Sequence, residues 1–311
     1  MLMARDTTFD HLKGQGSGAA IAIIAVIVVV VVAIFAFPGI FNFGAGGGSI
    51  IGLGMGSGGV VILSFAPDIV TIDGDQPVSF VMLLENKGGA DAKNIKYEVF
   101  GLGDSLSWSS KSEQEKGEST LTQANPSKNT PGGETRQVWD ATPKKKAVDV
   151  SYSVTGRVDY TYQTVSNLEM ILYHRNDANV KSLGISQSKI SSLTTSAGPM
   201  SIAVRGNIPL VSSSTDDFRV VFDITNTGGG RPYSGSATSD LDKISIKSEG
   251  CTIVGDTKVR MTSNKRAVSC KVDPNVADGK LEGKTVQLTL DYGYLIEGRT
   301  TVNVIKSDNL N

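Results

Sequence analysis

Between Gly14 and Pro67 the chain carries no charged residue, and within that stretch Ala19 to Phe37 (AAIAIIAVIVVVVVAIFAF) is wholly apolar. As a helix these residues would be about 28 Å long, close to the ~30 Å hydrocarbon core of a bilayer. Thirteen of them are Ile, Val or Phe. Each of these favours insertion by about 0.3 to 0.6 kcal/mol, and nothing polar opposes them. A Val-rich run is a poor helix in water, but in lipid the backbone must satisfy its own polar groups. The sequence therefore predicts a transmembrane helix over 19–37, with membrane lipid as its partner.

Flanking charge sets the expected orientation. Arg5 and Lys13 precede the run, and no Lys or Arg follows it until Lys87. That bias predicts residues 1–18 in the cytoplasm and the rest of a single-pass protein outside the cell membrane. The run is longer than a usual signal-peptide core and no AxA site follows Pro38, which points to an uncleaved anchor. Residues 38–59 are glycine-rich and read as a linker. Gly54, Gly56 and Gly59 match the dinucleotide-binding spacing, but a membrane helix precedes them and a strand follows, so no cofactor is expected there.

Beyond Val60 the apolar period becomes two. Val150, Tyr152, Val154, Val158, Tyr160 and Tyr162 alternate with polar residues, as do Phe218, Val220, Phe222 and Ile224, where Val221 is the one lapse, and then Val286, Leu288, Leu290, Tyr292 and Tyr294, with Gly293 among the intervening residues. Alternation of this kind gives one face to a core and one to water, the pattern of antiparallel sheets. No later segment has a helical stripe with caps, and the expected fold class is all-β.

Two motifs occur twice, in the same order. A strand runs into Asn-x-Gly-Gly at Asn86, Gly88, Gly89 and again at Asn226, Gly228, Gly229. Asp-Tyr-x-Tyr follows late in each half, at Asp159, Tyr160, Tyr162 and at Asp291, Tyr292, Tyr294, each expected to lead through a loop into a further strand (Leu168 to Leu172, Val302 to Ile305). This repetition predicts two tandem Ig-like antiparallel β-sandwiches, 60–197 and 198–311, dividing near Ser196 to Met200. Residues 105–146 of the first read as a long polar insertion. Trp108 and Trp139 flank it and are the only Trp residues. They are either the aromatic anchors of an exposed recognition loop or side chains packed on the sandwich edge.

Two resemblances accompany these patterns. APDIVTIDGDQPVSFVMLLENKGGADAKNIKYEVFG (Ala66 to Gly101) resembles the Ig-like CARDB-type modules of bacterial and archaeal surface proteins. Such modules act as spacers or as adhesive and structural units. The second half is less similar, with TNTGGGRPYSGS in place of the Ala-rich loop. Lys13-Gly14-Gln15-Gly16-Ser17 resembles the processing site of archaeal type IV pilin-like proteins, cut after a basic residue plus Gly to leave Gln first and Ser third. It departs from them at the fifth position, where Ala19 stands for the Glu many of those pilins carry. This second resemblance implies an alternative role as a filament subunit processed after Gly14.

Chemistry is sparse. With 30 Lys plus Arg against 31 Asp plus Glu, the formal net charge is −1, which gives no basis for nucleic-acid binding. The two histidines, His11 and His174, build no catalytic constellation. Asp73 with Asp75, and Asp216 with Asp217, are too few carboxylates for a calcium site. Lys144, Lys145 and Lys146 suit an edge-strand shield. Asn125 is followed by Pro126, which forbids N-glycosylation. Cys251 and Cys270 have no further ligands for zinc; they are a disulfide closing a loop of about 20 residues, worth ~3 kcal/mol, or two buried thiols. No catalytic, cofactor or metal residue is expected. The chain reads as a non-enzymatic, membrane-anchored surface protein for structure or adhesion, with a surface protein, a glycan or a second copy of itself as partner.

Overall fold

The computed structural model describes residues 58–101, 115–174, 191–205, 211–212, 218–237, 239–273 and 281–307. The chain divides into Met1–Gly47 and Gly48–Asn311. The expected membrane helix, Lys13, Gly14, Gln15, most of the glycine-rich linker, Trp108 and Asp216 with Asp217 lie outside the described residues. Among the described residues no helix is long and apolar enough to cross a membrane.

The body is all-β, built mainly of antiparallel sheets. Its first half supplies β1 (Val60–Pro67), β2 (Thr71–Ile72), β3 (Val78–Asn86), β4 (Ala92–Phe100), β5 (Glu115–Leu121), β6 (Glu134–Ala141) and β7 (Val150–His174). β8 (Ser191–Thr195) just precedes the expected boundary, and the second half supplies β9 (Met200–Val204), β10 (Val211–Ser212), β11 (Phe218–Asn226), β12 (Arg231–Tyr233), β13 (Lys243–Glu249), β14 (Thr252–Val254), β15 (Lys258–Arg260), β16 (Lys265–Val272) and β17 (Leu281–Val304). Two small sheets, β1-β3-β6 and β14-β16-β11-β9, pack against one large sheet whose main path is β15-β13-β17-β7-β4-β5. In the first half β1, β3 and β6 form one layer and β4, β5 and β7 belong to the other; in the second, β9, β11, β14 and β16 form one layer and β12, β13, β15 and β17 belong to the other.

Alternation builds these layers. In β3, Val78, Phe80, Met82 and Leu84 point inward, all at 1 % exposure or less. In β11, Phe218, Val220, Phe222 and Ile224 do the same. Burying one such side chain contributes about 1.5–3 kcal/mol. The two layers meet at Gly156 of β7, where an added Cβ would run into Met82 and Phe65 of the opposing sheet.

Two regions differ from the sequence expectation. No loop separates Tyr162 from Leu168: β7 is one strand of 25 residues, and β17 is likewise unbroken over 24. They pair antiparallel without a register shift from Val150↔Val304 to Tyr173↔Leu281. The bridging residues Gln163, Thr164, Val165, Ser166 and Asn167 include β-branched types and no Gly or Pro, so nothing there turns the chain. Secondly, the segment expected as a polar insertion contains β5 and β6. β6 pairs with β3 from Val78↔Ala141 to Glu85↔Glu134, and β5 pairs with β4. Both are sparing in apolar residues, with Leu121 buried in β5 and Trp139 and Ala141 in β6, so their period-two signal is faint. Trp139, opposite Phe80, is 1 % exposed and offers no face to a partner.

Cys251 and Cys270 form a disulfide tying the start of β14 to the buried centre of β16. Lys145 lies 3.7 Å from Asp75, Lys146 sits over the Tyr152 ring, and His174 pairs through its backbone with Ser212. Reduction of the bridge, which spans 19 residues, should lower stability by about 3 kcal/mol. Urea unfolding with and without reductant reads this as a lower midpoint, with a somewhat steeper slope because the uncrosslinked unfolded chain exposes more surface.

Candidate functional site at the junction of the repeats

The repeated motifs meet at the middle of the β7–β17 pair. Thr161 lies opposite Gly293, Tyr160 opposite Tyr294 and Tyr162 opposite Tyr292. A local twofold axis through the Thr161–Gly293 pair therefore relates the two Asp-Tyr-x-Tyr copies. The four rings form a closed circuit, with centroids 6.1 Å apart for Tyr160–Tyr162, 5.8 Å for Tyr160–Tyr294, 6.2 Å for Tyr162–Tyr292 and 6.1 Å for Tyr292–Tyr294. Tilted and edge-on rings at such spacings add about 0.5–1.5 kcal/mol per pair beyond the area they bury.

Each Asn-x-Gly-Gly turn docks on one of these phenols. Asn86, fully buried, donates from Nδ2 to the carbonyls of Ala90 (2.9 Å) and Leu121 (3.0 Å), and its Oδ1 accepts the Gly88 N–H at 3.0 Å. The Tyr162 hydroxyl accepts the Ala90 N–H at 3.1 Å and donates to the Ala197 carbonyl at 3.1 Å. In the second copy Asn226 donates to the Gly230 carbonyl at 2.9 Å and accepts from the Gly228 N–H at 3.2 Å. The Tyr294 hydroxyl accepts the Gly230 N–H at 3.1 Å and donates to Asn226 Oδ1 at 2.7 Å. Glycine is obligatory at the third position of the motif, because a Cβ on Gly88 would lie 1.8 Å from the Tyr162 hydroxyl and one on Gly228 2.2 Å from that of Tyr294. The other two phenols hold the opening strand of each half. Tyr160 accepts the Val60 N–H at 3.2 Å, while Tyr292 bonds the Met200 backbone and Thr164, the latter at 2.7 Å.

Strand parity places Thr161, Gln163, Asp291 and Gly293 on the opposite face of the sheet. There they floor a groove of about 640 Å³ that spans both halves. Asp91, Lys93 and Gln123 wall it on one side, with Tyr233, Ser234 and Ser245 on the other. Gln163 donates to Asp291 at 2.8 Å, and Lys247 approaches the same carboxylate at 2.8 Å. Burial pushes the Asp291 carboxyl up, but the bonds from Lys247 and Gln163 outweigh it and hold the group below its ordinary range. The Tyr233 hydroxyl donates to Asp159. Burial raises the Asp159 carboxyl, opposed by that bond and by Lys96 and Arg157. Burial, then the Asp159 contact, raises the Tyr233 phenol. The groove presents hydrogen-bond donors and acceptors, with the carboxylates of Asp91 and Asp291 beside the ammonium of Lys93. Among the described residues it pairs no nucleophile with a base, and no group of three metal-ligating side chains occurs.

Among the described residues, the sequence candidates Trp139, Cys251 and Cys270 are not part of this junction. The Cys251–Cys270 bridge ties β14 to β16, and Trp139 lies in the core of the first half. The Asn and Tyr motifs were legible as repeats, but their joining was not. Their identical order in the two halves is the one signal that could have paired them. Tyr233 had no signal, standing in an RPY run that the first half lacks.

Neither a family model nor a curated protein matches the chain. Solved structures similar to it include the D0-D1 domain of intimin, 8 % identical, covering 72 % of this chain and 90 % of that one at a TM-score of 0.19. The secreted serine protease VesC from Vibrio cholerae is 9 % identical, covering 76 % and 49 % at 0.19. The CupB6 tip adhesin from Pseudomonas aeruginosa is 10 % identical, covering 85 % and 96 % at 0.13. No residue role is carried over from any of them.

The tyrosine junction predicts a particular alkaline response. Burial is the main cause of the upward shift in all four phenols, bringing Tyr162 and Tyr294 to about 12 and raising Tyr160 and Tyr292 well above their ordinary value. An unfolded phenol titrates near ~10, so the folded chain binds more protons above that pH. The contribution is complete below pH ~10 and is lost as pH rises through 12 and beyond. Stability followed by circular dichroism across pH 8–13 should be flat and then fall steeply above ~10. Tyr294→Phe should itself cost about 1–3 kcal/mol in urea, by stranding the Gly230 N–H.

Proposed function

We propose that this chain is a non-enzymatic, single-pass membrane protein of the cell surface, presenting its twinned β-body for structural or adhesive contact. The observation that carries this reading is the uncharged, wholly apolar Ala19–Phe37 segment ahead of a glycine-rich linker. Two features support placing the body outside. Arg5 and Lys13 flank the segment on one side only. The body carries a Cys251–Cys270 disulfide, a bond that persists in oxidising compartments and is rare in the cytosol. The groove between the repeats supports contact with a polar partner, a surface protein or a glycan, because it is wide, uncatalytic in its side chains and lined from both halves.

A second reading rests on Lys13-Gly14-Gln15: a filament subunit processed after Gly14, with the apolar helix retained for self-association. The two readings part on native membranes. An anchored surface protein stays in the pellet after an alkaline wash, loses its β-body to protease added outside intact cells, and retains Met1 or the residues just after it. A mature chain beginning at Gln15, recovered from sheared fibres, favours the filament. A chain released by the wash, or protected from external protease, contradicts both.

A further inference from the structure

The strand pairing partitions the body in a way that its repeats do not. The part of β7 after Tyr162 lies against β17 and β10 of the second half and against β8, which just precedes the repeat boundary: Gln163 to Tyr173 pair with Asp291 to Leu281, β8 pairs along Ser166–Met170, and β10 joins at Tyr173 and His174. The part of β17 after Leu295, where the pairing with β12 ends, goes the other way. Ile296 to Val304 pair with Val158 to Val150, and β2 joins in parallel at Asn303 and Val304. Gly298 sits against Ile62 and Phe65 of β1. Val302 and Val304, both 0 % exposed, belong to the buried cluster that also holds Phe80, Met82 and Leu84.

We infer that the two sandwiches are nested rather than tandem. Residues 163–292 form a complete sandwich inserted between the last two strands of the first, and residues 293–304 are the first sandwich's closing strand. The ends of the inserted piece make this feasible, since Gln163 and Asp291 are paired neighbours and an element whose ends adjoin can be set into a host turn without distorting it. Equally, the turn that each repeat would need to fold its last strand back on itself is absent from β7 and from β17. Each repeat, cut at Ser196–Met200, would be left with a strand that belongs to the other. The first sandwich therefore has a slot between β2 and β7 for one extended segment, and the occupant of that slot is the chain's own C-terminal arm. A nested order also fixes a sequence of events: the first sandwich stays one strand short until the inserted one is complete.

Removal of residues 297–311 from the otherwise full chain tests this, because it spares Tyr294 and the β12 pairing. Hydrogen exchange should show loss of protection in β1, β3 and β6, with β11 and β16 still protected and the Cys251–Cys270 bridge closed. A synthetic peptide of residues 293–307 should restore protection to β1 and β3. Loss in β11 and β16 with β1 and β3 intact is the tandem result and would overturn the inference, as would equal loss in both or in neither. Two point variants of the complete chain guard against a truncation that does not fold. Val302→Ala, in the second repeat, should loosen β1 and β3, and Leu168→Ala, in the first, should loosen β11 and β16. The opposite assignment refutes nesting.

Discussion

The unbroken antiparallel pairing of β7 with β17 is the constraint on which the rest of the body depends. A strand of 24 residues extends about 80 Å, far beyond the five or six residues usual in globular proteins. It persists because both ends of each strand have a core to cover. The early part of β7 buries Val154 and Val158, and its late part Leu168, Met170 and Leu172. β17 does the same with Leu288 and Leu290 at one end and Val302 and Val304 at the other. A one-residue slip would turn every one of these side chains to solvent, so burial at both ends holds a single register between them.

The tyrosine circuit sits at the middle of that pairing. Phenols suit that position because each supplies a ring to the core and a hydroxyl that serves a backbone group beyond it. Tyr160 and Tyr292 secure the opening strands, while Tyr162 and Tyr294 secure the Asn-x-Gly-Gly turns. The motif residues are thus tied to one another by direct bonds, and the local twofold relation makes each half's arrangement a copy of the other's. Asymmetry enters on the opposite face. There the first half contributes Asp91, Lys93 and Gln123 to the groove and the second contributes Tyr233, Ser234 and Ser245. The shared scaffold thus carries unlike walls.

Period-two alternation made the all-β class and the central strands legible, because β3, β11, β7 and β17 each bury one face. Edge strands were not legible. β5 buries only Leu121 among its apolar positions and β6 is polar along most of its length, so solvation and strand pairing leave the same residues in the sequence. The repeat was legible in Asn86 with Asn226 and in Tyr162 with Tyr294. What it concealed was the exchange of closing strands, since a repeat records which elements recur and says nothing about which copy they pair with. The groove shares that property, for Gln163 and Asp291 are adjacent only because of a pairing across more than a hundred residues of chain.

The most direct measurement of the central pairing is amide exchange, residue by residue, along Gln163 to Asn167 in the intact protein. Continuous pairing predicts slow exchange there, comparable with that at Val158 and Leu168 on either side. Exchange as fast as an open loop, between two separately protected strands, would contradict the account.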